Sequence, residues 1–218
     1  MFSVCLEFLG MGSCIAGSLL VMVACGLPTW KVTAFTDANI VVAQYTWEGL
    51  WMTCVVQSTG QMQCKVHASV LALTRDLQMA RALTVVSAAL SVAALAVTVA
   101  GARYTNCIGG ESVKARVVSA GGVMYMASAV FVFVPLCRMA NGIVVEFYDP
   151  LVPASQKLEI GAAIYIGWVA TALLLIGGAL LCCSASGSLG LKKSSAYPIK
   201  YSQTKAGSGA KDNVKHYV

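Results

Sequence analysis

Trp47–Cys64 reads WEGLWMTCVVQSTGQMQC. It holds two of the four tryptophans of the chain and two cysteines that stand equidistant from Thr59. A hairpin with the three-residue turn Ser58-Thr59-Gly60 places Gly60 where a left-handed backbone is needed. The pairing then runs Gln57 with Gln61, Val56 with Met62, Val55 with Gln63 and Cys54 with Cys64. Upstream, Trp30–Phe35 and Ile40–Thr46 are enriched in strand-forming residues, with a turn signal at Thr36-Asp37-Ala38-Asn39 between them. This stretch is the one interval between apolar runs long enough to form a compact module.

The runs around it set the class. Of 218 residues, 58% are hydrophobic and 11% charged, and the mean hydropathy is +0.75. A soluble domain carries about 25% charged residues, so so much apolar surface points to a membrane protein. Phe8–Leu27, Ala82–Ala102, Val117–Cys137 and Ile160–Cys183 are free of charge over 20, 21, 21 and 24 residues. A spanning helix needs about 20 apolar residues. Lipid offers the backbone no hydrogen-bond partner, so each run is expected to be a helix. A cleaved signal peptide is the other reading of the first run. Its flank has Glu7 and no Lys or Arg, and the run exceeds a signal core of roughly 7–15 residues.

Charge sets the expected orientation. Arg103, Lys114 and Arg116 lie in the short link between the second and third runs, and six lysines follow the fourth. Lys31, Lys65, Arg75, Arg81, Arg138 and Lys157 are spread over longer loops on the other side. Both termini are therefore expected in the cytoplasm, with loops 28–81 and 138–159 outside. The net charge of +6 follows topology and implies no nucleic-acid partner. An outer loop meets an oxidising compartment, which favours a Cys54–Cys64 disulfide. A metal pair is the competing reading, but His67 alone does not complete a four-ligand zinc site. Small residues recur in the first and fourth runs, at Gly10, Gly17, Gly161, Gly167, Gly177 and Gly178, and suit close helix packing. No ionisable side chain but cysteine or tyrosine falls inside the four runs, which speaks against an ion path through the bundle. Two histidines and no acid within these runs leave nothing for acid–base or metal catalysis. From Ser184 onward the chain is rich in Ser, Gly and Lys and reads as disordered.

Trp30, Gly49-Leu50-Trp51, Cys54, Cys64 and Arg81 match the W…GLW…C…C…R signature of claudins. CGLPTWKVTAF, CVVQSTGQMQCKV, EFYDP and YIGWVATALLLIGGALLCC are also similar to that family, and the resemblance covers nearly the whole chain. The relatives that share part of the signature, the peripheral myelin proteins and calcium-channel gamma subunits, commonly carry a glycosylation sequon in the first loop. Here Asn39, Asn106, Asn141 and Asn213 all fail the N-x-S/T pattern.

The resemblance implies a membrane α + β fold: a left-handed four-helix transmembrane bundle beneath a five-stranded antiparallel extracellular sheet. It implies a four-span domain over 1–183 and a cytoplasmic tail over 184–218. The implied function is structural and adhesive: tight-junction strands that seal the paracellular space, built by claudin homo- and hetero-oligomers in cis and in trans. No cofactor, metal or catalytic step is implied. Trp30, Gly49, Leu50 and Trp51 would seat the sheet on the helices, and Arg81 would cap the second span and pair with acidic loop groups. Lys65, with His67 and Ala68 beside it, would line the paracellular path; a fixed positive charge there disfavours cations. Phe147, Tyr148 and Pro150 match the turn used for head-on contact. Tyr217 and Val218 resemble a PDZ ligand, which adds a strand to a scaffold domain. Cys107, Cys182 and Cys183 lie at the cytoplasmic membrane boundary and are palmitoylation candidates.

Several positions depart from close relatives: His67-Ala68 replaces Tyr-Asp, Arg138 a Trp, Val145 an Arg, Leu158 a Tyr and Tyr104 a Cys. Asp149-Pro150-Leu151-Val152-Pro153 approaches a loop that binds clostridial enterotoxin, with Asp in place of Asn, so weak binding is expected. The competing functions are an anion-favouring paracellular channel and an auxiliary or trafficking subunit of the calcium-channel gamma type.

Overall fold

The computed structural model describes residues 2–34, 45–57, 59–67, 73–102, 104–105, 109–153 and 157–194. Four helices, α1 (Phe2–Gly26), α2 (Arg75–Gly101), α3 (Glu111–Tyr148) and α4 (Ala162–Ser194), are each long and apolar enough to cross a membrane. Five short strands, β1 (Lys31–Thr33), β2 (Tyr45–Glu48), β3 (Met52–Val56), β4 (Met62–Val66) and β5 (Leu158–Ile160), form one antiparallel sheet in the order β4-β3-β2-β1-β5. The chain is a multi-pass membrane protein with the sheet at one end of its bundle.

The apolar runs place the four helices but not their ends. Pro28 supplies no N–H to continue α1, which ends at Gly26. α2 begins at Arg75 rather than Ala82, with Asp76 in its first turn complementing the positive end of the helix dipole. α3 does not stop at Cys137. It continues eleven residues to Tyr148, so the first half of the expected second loop is helical. Met139, Ala140 and Ile143 explain this, because they form one buried face beyond Arg138. Thirty-eight residues make a helix of roughly 57 Å, longer than the ~30 Å hydrocarbon core, so α3 projects into the sheet layer. α4 likewise runs past Cys183 to Ser194, and the expected disordered tail does not begin at Ser184. Glu7 corrects another expectation: it sits inside the first spanning helix and is buried.

α4 packs on α1 and on α3, and α2 packs on α3, while α1 and α2 touch less. Without water to drive association, helices in lipid are held by close backbone approach and buried hydrogen bonds. A Cβ on Gly177 would stand 2.6 Å from Cys14 Sγ and 2.8 Å from the Gly10 carbonyl oxygen. The α3–α4 contact is as tight, with Gly122 against the Gly178 carbonyl. The buried face of α2 is small and hydroxylated, with Thr84, Ser87, Ser91, Ala94 and Thr98. Ser87 and Ser128 clasp α2 to α3: each hydroxyl donates to the other residue's carbonyl, at 2.8 and 2.9 Å.

At the end of the bundle away from the sheet, Tyr104 folds back under α1. Its ring stacks on Phe8 at 5.4 Å and its hydroxyl donates to Met11 Sδ at 3.0 Å. Burial, then the nearby Glu7 carboxylate, raises the phenol pKa above its ordinary value.

Gly177→Leu is expected to destabilise the protein by about 1–3 kcal/mol through overpacking. The loss should appear as a lower thermal midpoint in detergent. The same change at Gly12, where a Cβ meets nothing within 4 Å, should leave the midpoint unchanged. Equal effects at the two positions would refute the tight α1–α4 contact.

Candidate functional site: the sheet and the helix ends beneath it

The last four carbonyls of a helix have no partner within it. At the C-terminus of α1 the tryptophans supply donors. The amide of Leu27 donates to the Val23 carbonyl at 3.0 Å. Trp30 Nε1 donates to the Ala24 carbonyl at 2.8 Å, and Trp51 Nε1 to the Cys25 carbonyl at 3.0 Å. Trp30 is 1% exposed and Trp51 40%. Gly49 sets the approach: a Cβ there would lie 2.4 Å from Pro28 Cα. Leu50 is fully buried, and its carbonyl accepts a hydrogen bond from Arg81 Nε.

Arg81 reaches this turn from within the second spanning helix. It lies inside α2, is buried, and pairs with no acid among the described residues; its guanidinium carbon sits 5.1 Å from the centre of the Trp51 ring. Nη2 has no hydrogen-bond partner among the described residues. Trp30, Gly49, Leu50, Trp51 and Arg81 thus form one joint, in which two tryptophans cap α1 and Arg81 ties α2 to the same turn. α4 is joined as well. The amides of Gly161 and Ala163 donate to the carbonyls of Trp30 and Thr29, at 3.0 and 3.1 Å. A Cβ on Gly161 would fall 2.0 Å from the Thr29 oxygen, so the contact requires glycine.

The hairpin has the expected register, with Cys54 opposite Cys64, Val55 opposite Gln63 and Val56 opposite Met62. The amide of Gln57 donates to the Gln61 carbonyl at 3.0 Å, and Gly60 has φ +78°, in the left-handed region. The Cys54–Cys64 disulfide is formed. Directly paired residues share a face of a sheet, which puts Lys65, Thr53, Glu48 and Lys31 in one row. The disulfide, Trp47 and Val32 lie on the opposite face.

Every residue of β4 is exposed, Lys65 included. His67 is half-buried beside it, with Nε2 3.3 Å from Thr53 Oγ1. Further along the row, Lys31 is held between Glu48 at 4.0 Å and Glu146 of α3 at 3.9 Å. This cluster escapes a reading of the sequence, because Glu146 is far from Lys31 in the chain and reaches it only through the extension of α3. Arg138 pairs at 3.7 Å with Asp76 across the outer ends of α3 and α2, and both side chains are exposed.

At the second loop, Phe147 is half-buried, with Lys157 Nζ 5.3 Å from its ring centre. It does not project with Tyr148, which is 78% exposed. Pro150 is exposed, and Leu151, which follows it in the tip, is 88% exposed. Asp149 shapes this tip by accepting the Leu151 amide on Oδ1 at 2.9 Å. At the other membrane face, Cys183 is exposed, while Cys182 is half-buried and its thiol points to the Ser119 carbonyl at 3.7 Å. Among the described residues, no three His, Cys, Asp or Glu side chains converge. The Thr36–Asn39 turn, Ala68, Cys107, Tyr217 and Val218 lie outside the described residues.

A family model described as PMP-22/EMP/MP20/Claudin matches residues 4–181. The chain is 54% identical to human claudin-5 over the whole of both chains. It is 53% identical to dog claudin-3 over 82% of each chain, and 46% identical to human claudin-4 over 94% of this chain and 97% of that one.

Trp30→Phe leaves the Ala24 carbonyl buried without a donor and should cost about 1–3 kcal/mol. Trp51→Phe exposes its carbonyl to water and should cost about 1 kcal/mol or less. Denaturant titration of the two variants checks the order; a larger loss at Trp51 would contradict the capping geometry.

Proposed function

From the premise that this chain belongs to the PMP-22/EMP/MP20/Claudin family, we propose that it forms tight-junction strands that seal the paracellular space. The observation that carries this is full-length similarity to claudins, with Trp30, Gly49, Leu50, Trp51 and Arg81 gathered into one joint. Strands require association side by side in one membrane and head-on between membranes. Tyr148, Pro150 and Leu151 offer the exposed tip for the head-on contact, and Phe147, held under Lys157, supports it. In this reading both termini face the cytoplasm, consistent with the lysines that follow α4. Cys107, Cys182 and Cys183 then sit in reach of acylation, and Cys183 is the best presented of the described pair. Asp149 engages its own turn through Oδ1, which supports weak binding of a clostridial enterotoxin at most.

The barrier is basic in character. Lys65 stands exposed on β4, whereas Glu48 and Glu146 are each drawn to Lys31. A positive charge beside a narrow aqueous path raises the energy of passing cations. The same exposed lysine favours the second reading, a channel with anion preference. His67 stands beside it, against Thr53.

Lys65→Asp is expected to raise sodium over chloride permeability in monolayers of claudin-deficient epithelial cells expressing this chain. The dilution potential reads the effect, and an unchanged potential would remove Lys65 from the path. High resistance with the native chain supports the seal; low resistance with chloride preference supports the channel. Freeze-fracture strands between transfected cells support both over an auxiliary-subunit role. Deleting Tyr217 and Val218 should abolish capture by tight-junction PDZ scaffolds while surface delivery persists; undiminished capture would refute the ligand.

A further inference from the structure

Two recesses follow one another along the outward seam between α3 and α4. The one nearer the sheet has a volume of about 270 Å³, and Phe147, Tyr148, Tyr165, Val144 and Glu159 help to line it. The other, of about 430 Å³, is lined by Val130, Phe133, Cys137, Trp168 and Leu175 among others. On α3 these residues are 130, 133, 137, 144 and 147, and on α4 they are 165, 168 and 175. Steps of three, four or seven keep them on one stripe of each helix. Tyr165 and Trp168 meet edge to face, 5.6 Å apart, where one recess gives way to the other.

The two recesses differ in chemistry. The larger lies within the spanning helices, and its one hydroxyl, Thr171, already donates to the Gly167 carbonyl at 2.8 Å. Its lining is almost wholly apolar and suits a hydrocarbon chain. The smaller combines aromatic faces with one carboxylate, Glu159, in its lining, and Lys157 stands at its edge against Phe147. Glu159 has no ion pair among the described residues. Lys157 stands beside Phe147 and, two residues from Glu159 in extended chain, projects from the same side as it. Aromatic faces and a carboxylate attract a quaternary ammonium, and a lysine attracts a phosphate. This is zwitterionic complementarity directly above an acyl groove.

We propose that the α3–α4 seam binds one choline phospholipid of the leaflet on the sheet side. Its trimethylammonium group lies against Tyr165 and Phe147 with Glu159 as counter-charge, its phosphate faces Lys157, and one acyl chain fills the recess beside Trp168. A glycerol headgroup lacks the cation that Glu159 requires. An ethanolamine headgroup has a compact, strongly hydrated ammonium that gains less from the rings.

The test uses purified full-length protein in nanodiscs holding equal amounts of phosphatidylcholine, phosphatidylethanolamine and phosphatidylglycerol with identical acyl chains. Lipid retained after release into detergent is read by native mass spectrometry. Retention of a single phosphatidylcholine, preferred roughly fivefold over phosphatidylethanolamine, is expected. Glu159→Gln and Tyr165→Leu should each erode that preference, and Ala172→Trp, which fills the apolar recess, should lower retention of every headgroup. Thermal midpoints equal to that of the native chain confirm that the variants are folded. Equal retention of the three lipids, or a preference that survives both Glu159→Gln and Tyr165→Leu, would overturn the proposal. Full displacement by free phosphocholine at the same concentration would overturn the lipid assignment. So would cross-linking of Val144→Cys to a second copy that excludes phosphatidylcholine.

Discussion

The carbonyls at the end of α1 set the terms for the structure around them. A helix that stops at a membrane boundary leaves hydrogen-bond acceptors where water is scarce, and each one left bare costs free energy. Two indole N–H groups, from Trp30 and Trp51, answer two of them. A tryptophan suits the depth, since its body is apolar and its tip polar. Once Trp30 is committed there, its own carbonyl receives the amide of Gly161, just ahead of α4, and that of Thr29 receives the amide of Ala163 in the first turn of α4. Leu50, next to Trp51, receives Arg81 of α2. Sheet and bundle are therefore bonded through backbone atoms rather than merely stacked. This also explains why glycine is needed at 49 and 161, where a Cβ would meet Pro28 and Thr29.

Much of this was legible in the residues. Four charge-free runs locate four helices because lipid leaves the backbone no alternative. The hairpin register follows from Gly60 and the symmetric cysteines, since a turn of fixed length leaves one pairing. The helix ends were not legible from charge alone. Arg138 looks like a boundary, yet Met139, Ala140 and Ile143 carry the buried face onward and the helix with it. Glu7 looks like a flank, yet it is buried within α1. The site was legible only in part. Trp30, Leu50 and Arg81 are recognisable as a set, but nothing in their spacing says that Arg81 meets a carbonyl and a ring. The pairing of β1 with β5 joins residues more than a hundred positions apart, and strands of three residues carry almost no periodic signal.

The charged row across the sheet shows how position governs the effect of a charge. Lys31 and Lys65 lie on the same face, with two strands between them. Lys31 is largely covered and sits between two carboxylates, so its field is cancelled close by. Lys65 stands on the outermost strand with Thr53 and His67 for neighbours, so its field reaches into solvent over about a Debye length. Exposure leaves one lysine able to act on passing ions and the other confined to holding strands to a helix.

The sheet order has a mechanical consequence. β5 follows the second loop, and its partner β1 follows α1, so the two loops share one seam of backbone hydrogen bonds. A pull on the Pro150–Leu151 tip enters β5, crosses to β1, and arrives at the tryptophan-capped end of α1. The bonds of that seam lie across antiparallel strands, so a pull directed along the strands loads them together in shear rather than opening them one at a time. Load from the second loop is thereby carried to the membrane helices without passing through the β3–β4 hairpin and its lysine.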